Sequence, residues 1–198
     1  CGSLNTNLIR EVINFDSLHS DNIYLTVGKK IEIHVASLQK KLVASFKFGT
    51  TLPTFDMVLP IAKIIDEYFL GKKVNSVKLI STNFVSVFSQ KPKITNILPI
   101  EFPEERITST PFTLFEPRPE KLFPPLLRHF LEMTIYEHLL ESFASEQGAR
   151  MVAMQNATDN ALEIVGDLRL EYNKGRQEKI TNEILDIGGA AFTFAYES

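Results

Sequence analysis

Residues 139–172 read LLESFASEQGARMVAMQNATDNALEIVGDLRLEY. Leu140, Ala144, Gln147, Met151, Met154, Thr158, Ala161, Val165, Leu168 and Tyr172 follow one another in steps of four and three. That is a seven-residue period, the seam of a coiled coil. Gln155, Asp159, Glu163, Asp167 and Glu171 occupy outward positions and are polar. A helix with so narrow a stripe gains little by folding alone and needs a partner.

Toward the N-terminus the pattern thickens. Leu126, Leu127, Phe130, Leu131, Met133, Ile135, Tyr136, Leu139, Leu140 and Phe143 cover much of the helix circumference, so this part is expected to be buried on more than one side. Pro124 and Pro125 open the run, and no proline follows them. Proline is tolerated in a first turn, so one helix is predicted from about Pro124 to about Ile187. At 1.5 Å per residue it would be roughly 95 Å long. Nothing in residues 1–123 reads as a helix of comparable length. The best candidate, Phe55 to Leu70, contains Pro60. The partner is therefore expected from another chain or from sequence upstream of Cys1. The alternatives are a helix docked sideways on its own domain, or a homodimer through the seam.

Residues 1–123 alternate short helices and strands. Helices are predicted over Asn5–Phe15, capped by Asn5 or Thr6, then over Lys29 to about Lys41, and over Phe55–Leu70. Strands are predicted at Asn22–Val27, Leu42–Phe48, Val77–Thr82 and Pro111–Phe115. Phe84–Gln90 and Lys93–Ile100 read as a hairpin around Pro92, and Glu101–Thr110 as a loop. Such alternation argues an α/β layered unit with a largely parallel sheet. The expected division is an α/β domain over 1–123 and the long helix over 124–198.

Composition bounds the function. The 198 residues are 44% hydrophobic and 23% charged, with net charge −3. Nothing there suggests nucleic acid or an acidic membrane surface as a partner. Residues 1–123 carry fifteen basic and twelve acidic residues, and residues 124–198 carry six and twelve, which matches a solvated outer face on the helix. Cys1 is the one cysteine, so no internal disulfide forms. Cys1-Gly2-Ser3 before a helix reads as a turn between a strand and a helix, pointing to a longer natural chain.

Catalytic signatures are missing. Gly28-Lys29-Lys30 and Gly71-Lys72-Lys73 lack the further glycine and the Ser/Thr of a phosphate loop and read as solvated turns. His19, His34, His129 and His138 form no pair at metal-ligand spacing, and no G-x-S-x-G occurs. Glu101, Glu104 and Glu105 fall in a proline-bearing loop, where they read as hydrated rather than as an acid–base pair. No cofactor or metal is expected.

Read end to end, the chain resembles the γ subunit of the rotary F-type ATP synthase. The resemblance is strongest over Ala149–Ala161 and continues through Tyr172-Asn-Lys-Gly-Arg-Gln177 and Ile180-Thr-Asn-Glu-Ile184. Upstream it is carried, in order, by Cys1-Gly-Ser-Leu-Asn-Thr-Asn7, Val27-Gly-Lys-Lys30, Phe84-Val-Ser-Val-Phe-Ser-Gln-Lys-Pro92 and Phe115-Glu-Pro-Arg-Pro119. The resemblance implies a Rossmann-like three-layer α/β domain beside a long antiparallel coiled coil, whose other strand is an N-terminal helix outside these residues. It implies a non-catalytic rotor shaft, which transmits proton-driven rotation of a membrane ring to catalytic sites on a surrounding hexamer. The implied partners are the α and β subunits of that hexamer, the ε subunit, the c-ring and the subunit's own N-terminal helix. The implied location is peripheral, on the cytoplasmic face of the bacterial plasma membrane or the equivalent organellar inner membrane. Carried over by position, Arg176, Gln177 and Thr181 would meet loops of the catalytic subunits. Met151, Met154, Thr158, Ala161, Val165, Leu168 and Tyr172 would pack the seam. The tail departs from the family: Gly188-Gly189 weaken a helix by about 1 kcal/mol each, and Phe192-Thr-Phe-Ala-Tyr196 is bulkier than the alanine-rich end the resemblance implies. Gly175 is a second soft spot.

Overall fold

Gly2, at φ +57, turns the chain into helix α1, Leu4–Leu18. Ser3 leads the helix in. Its carbonyl accepts the Asn7 N–H at 2.8 Å and its Oγ accepts Asn7 Nδ2 at 3.2 Å. The cap therefore falls two or three residues earlier than the Asn5 or Thr6 that the sequence suggested, and both of those lie inside the helix. The computed structural model describes residues 2–18, 21–49, 51–100 and 115–196, with side chains to residue 187. Cys1, His19, the Glu101–Thr110 loop, nearly all of the Pro111–Phe115 strand, and the side chains of the Gly188–Tyr196 tail lie outside the described residues.

Strand β1, Ile23–Val27, pairs in parallel with β2, Lys41–Phe46, and helix α2, Lys29–Ser37, connects them. Gly28 makes the sharp junction at φ +117 and donates its N–H to the Phe46 carbonyl at 2.8 Å. Only glycine takes that backbone conformation without strain. α2 stops four residues short of the expected Lys41, because Gln39 turns into the left-handed region at φ 55 and frees Lys41 for the strand. Tyr24 on β1 donates to Asp16 Oδ1 of α1 at 2.7 Å, and Lys40 lies 3.1 Å from Asp16 Oδ2. This hydrogen bond holds the Asp16 carboxyl below its ordinary value. Burial, then the same bond, pushes the Tyr24 phenol up to about 12.

A 3-10 turn, Phe55–Met57, leads into α3, Val58–Leu70. Pro60 sits in the first turn of α3, where its missing N–H costs nothing. Val58, Ile61 and Ala62 form its buried stripe. The strand expected at Val77–Thr82 runs on to Ser86 as β3, Val77–Ser86. It pairs antiparallel with β4, Ser89–Leu98. The reversal is at Val87 and Phe88, not at Pro92. Pro92 sits within β4 opposite Thr82. A proline that lacks a donor marks an edge strand as readily as a turn, and here it marks the strand. Among the described residues the pairing is one parallel pair and one antiparallel pair, in place of the largely parallel sheet expected.

Helix α4 spans Pro119–Tyr196. It starts before the proline doublet because Pro119 itself takes the first-turn position. Pro124 and Pro125 therefore lie inside the helix, and the carbonyls four residues before them lose their helical donors. The backbone stays helical through Gly188 and Gly189. The chain divides into two compact units, Cys1–Val152 and Ala153–Ser198.

The core of the first unit joins Val58, Ile61 and Ala62 of α3, Ile97 and Leu98 of β4, and Leu131 and Ile135 of α4. Leu25, Val27 and Phe46 pack at its margin. Full burial of a side chain like Ile135 is worth about 2 kcal/mol. Arg128 ties α4 to itself and to α3, at 3.2 Å from Glu132 and 4.0 Å from Asp66. His138 is buried, with Nδ1 3.1 Å from Ser81 Oγ of β3 and 3.5 Å from Glu141. It packs between α4 and β3. Ser145 is fully buried, and a Cβ at Gly148 would lie 3.1 Å from Phe84 Cε2. Small residues on this face of α4 let the β3–β4 hairpin come close.

Candidate functional site

The second unit is helical to Tyr196 and its residues 154–187 are exposed. Alternating steps of three and four keep the seam on one face of the helix. Met154 is 64% exposed, Leu168 59% and Tyr172 70%. Val165, Thr158 and Ala161 are exposed as well, and so is Met151 at the end of the first unit. Thr158 Oγ1 donates back to the Met154 carbonyl at 2.9 Å, which hides its one polar hydrogen and suits it to an apolar stripe. Gln155 Nε2 donates to Asp159 Oδ1 at 3.0 Å on the outward side.

Gln177 and Thr181 lie one helical turn apart. With Lys174, Glu178 and Asn182 they line one open face. Arg176 does not join them: at about 100° per residue it falls on the opposite side of the helix from the centre of that face. Thr181 Oγ1 donates to the Gln177 carbonyl at 2.8 Å. Its hydroxyl hydrogen is thus used within the helix, and toward any partner Thr181 offers acceptor lone pairs only. The Gln177 amide carries donors on this face, and the Arg176 guanidinium carries donors on the other side of the helix. Sequence reading missed Lys174, Glu178 and Asn182 as members of this face, although their spacing from Gln177 and Thr181 carries the signal. It also missed the tight crossing at Gly148, for which a lone glycine in an unbroken helix was the only sign.

The other candidate sites dissolve into structure. Lys29 and Lys30 are exposed beside Gly28. Lys73 pairs with Glu67 at 3.2 Å and covers the Tyr68 ring at 4.7 Å. His34 is exposed on α2, and His129 packs against Phe55 with ring centroids 6.2 Å apart. Among the described residues, no group of three His, Cys, Asp or Glu side chains is placed to hold a metal ion. No helix among them is long and apolar enough to cross a membrane.

Comparison with known proteins covers almost the whole chain. The family model described as ATP synthase matches residues 1–193. The ATP synthase gamma chain of Dehalococcoides mccartyi is 38% identical over 199 residues, covering 98% of this chain and 69% of that protein. That of Methylacidiphilum infernorum is also 38% identical, covering 97% of this chain and 69% of its own length. Among solved structures, the central stalk and c-ring of the Tetrahymena thermophila mitochondrial ATP synthase matches at TM-score 0.63 and 26% identity, over 80% of this chain and 70% of that one. A chain of the Euglena gracilis mitochondrial ATP synthase in rotational state 3 shares the fold at TM-score 0.63, over 98% of this chain and 68% of that one. With its helical seam, its α/β unit and this similarity along nearly its full length, the chain belongs to the ATP synthase gamma-chain family.

Proposed function

We propose that this chain is the central shaft of a rotary ATP synthase, a non-catalytic subunit that carries rotation from a membrane ring to the catalytic sites of a surrounding hexamer. The observation that carries the reading is the exposed seven-residue seam from Met151 to Tyr172, in a chain of this family. In this reading residues 1–123 are a Rossmann-like three-layer domain, and the parallel β1–α2–β2 unit supports that assignment. Residues 124–198 are one strand of an antiparallel coiled coil, and an N-terminal helix of the same subunit covers the seam. The ε subunit and the c-ring hold the α/β end. Gln177 and Arg176 donate to loops of the α and β subunits, and Thr181 accepts. The complex sits peripherally on the cytoplasmic face of the plasma membrane, or on the equivalent face of an organellar inner membrane.

No nucleotide chemistry falls to this chain. Its work is to present a different side to each catalytic site as it turns, so its contacts must form and break without deep wells. Exposed polar donors on a helix fit that demand, because each such hydrogen bond is worth only about 1 kcal/mol net. Rotor and central-stalk relatives favour the shaft over a homodimer joined through the seam.

The test is purification of the synthase through a tag on this subunit, followed by subunit counting. One copy per catalytic hexamer, and ATP-driven proton pumping that depends on it, is the expected result. A stable dimer of the chain that persists when hexamer subunits are supplied would overturn the reading.

A further inference from the structure

The tip of the β3–β4 hairpin is apolar and uncovered. Phe88 at the reversal is 85% exposed and Val85 61%. Behind them, Lys91 and Lys93 of β4 are exposed and enter no ion pair among the described residues. From Glu67 to Glu101 the chain has five lysines, Lys72, Lys73, Lys78, Lys91 and Lys93, and no acidic residue between. Lys73 and Lys78 are engaged at home, by Glu67 and by the Phe15 ring. Of the three left over, Lys72 lies in the turn after α3, and Lys91 and Lys93 lie on the hairpin arm itself.

A hairpin turn normally carries glycine, asparagine or aspartate, which water solvates well. Val87-Phe88 is the opposite choice. An aromatic on a rigid two-stranded arm loses little entropy when it is captured. The arm is held. Its tip packs on Gly148 of α4 through Phe84 and Val87, and Gln90 Nε2 braces the turn by donating to the carbonyls of Ser86, at 3.1 Å, and Val87, at 2.6 Å.

We propose that this tip is a docking knob for an acidic surface of a neighbouring protein subunit, with Phe88 and Val85 entering an apolar notch and Lys91 and Lys93 facing carboxylates at its rim. Charge selects the occupant. The partner must bring negative charge that this stretch of chain lacks, and it must hold that charge at fixed spacing around a seat for one ring, which a folded protein surface does and a fluid headgroup layer does not. The inference rests on the shaft reading, which puts other subunits around this one.

A photoreactive amino acid at position 88, in the whole synthase, tests it. A second preparation carries the probe at position 177 instead. The expected result is a crosslink from position 88 to one protein subunit, within a segment bearing at least two Asp or Glu. The K91E/K93E variant lowers its yield by about fivefold or more, as reversal of two surface pairs should, while K91R/K93R keeps it. A crosslink to lipid, to a second copy of this chain or to a segment without acids overturns the knob. So does a yield that charge reversal leaves unchanged. If position 177 reaches the hexamer and position 88 reaches nothing, the knob fails and the shaft stands. If neither reaches another subunit, both fall.

Discussion

A methyl group at Gly148 would sit 3.1 Å from Phe84 Cε2, a few tenths of an ångström too close. Phe84 is 37% exposed, so its ring has room to give way. Replacing helical glycine by alanine gains about 1 kcal/mol in propensity. Gly148→Ala is therefore expected to leave the urea midpoint of the chain nearly unchanged. Gly148→Leu must push the hairpin off the helix and cost about 2 kcal/mol or more. Two titrating residues make the stability of the same unit depend on pH. Between about pH 10 and 12 the unfolded chain has lost the Tyr24 proton while the folded chain keeps it. Stability from this group is whole below pH 10 and falls across that window. Asp16 works the other way: its carboxyl is held below 3.8, so its contribution is present above that pH and fades as acid protonates it in the folded state. Urea titrations at alkaline pH should show the decline attributed to Tyr24, and Tyr24→Phe should remove that part of it.

Among the elements, α4 has two fates along its length. Leu131 and Ile135 are in the core, whereas residues 154–187 are exposed. A single helix without packing is marginal in water. Amide exchange in the isolated chain should accordingly be at least about a hundredfold faster over residues 154–187 than at Leu131–Ile135, and the assembled complex should slow it. Equal protection of both segments in the isolated chain would contradict this. Helices were legible in the sequence because an apolar stripe of helical period shows in the local sequence: the Phe55–Leu70 run gave α3, and the seam announced α4. Strand pairing was less legible. Pro92 reads as a breaker from composition, and only the partner strand reveals that its missing N–H lies in a ladder opposite Thr82. The antiparallel pairing of β3 and β4 also depends on a turn, Val87-Phe88, that has none of the usual turn residues. The candidate contact residues could be placed by resemblance. That Thr181 is spent as a donor needed its bond to the Gln177 carbonyl.

For the whole molecule, the polar face of α4 makes a graded prediction. Gln177→Ala removes a donor and is expected to lower coupled ATP-driven proton pumping by about twofold to fivefold, the worth of one hydrogen bond. Thr181→Val removes a hydroxyl whose hydrogen never faced outward, and should cost less. Both changes lie on an exposed helix surface, so the stability of the isolated chain should move by less than about 0.5 kcal/mol. Pumping assays in membrane vesicles, set beside urea midpoints of the same variants, separate the two effects. The exposed seam has one more consequence, and it concerns turnover. A copy lacking the N-terminal helix of the shaft reading would display Met154, Leu168 and Tyr172 to every chaperone and protease it meets. In that reading, pairing of the two helices within one subunit then becomes a condition of survival in the cell, and copies that miss it are expected to be cleared.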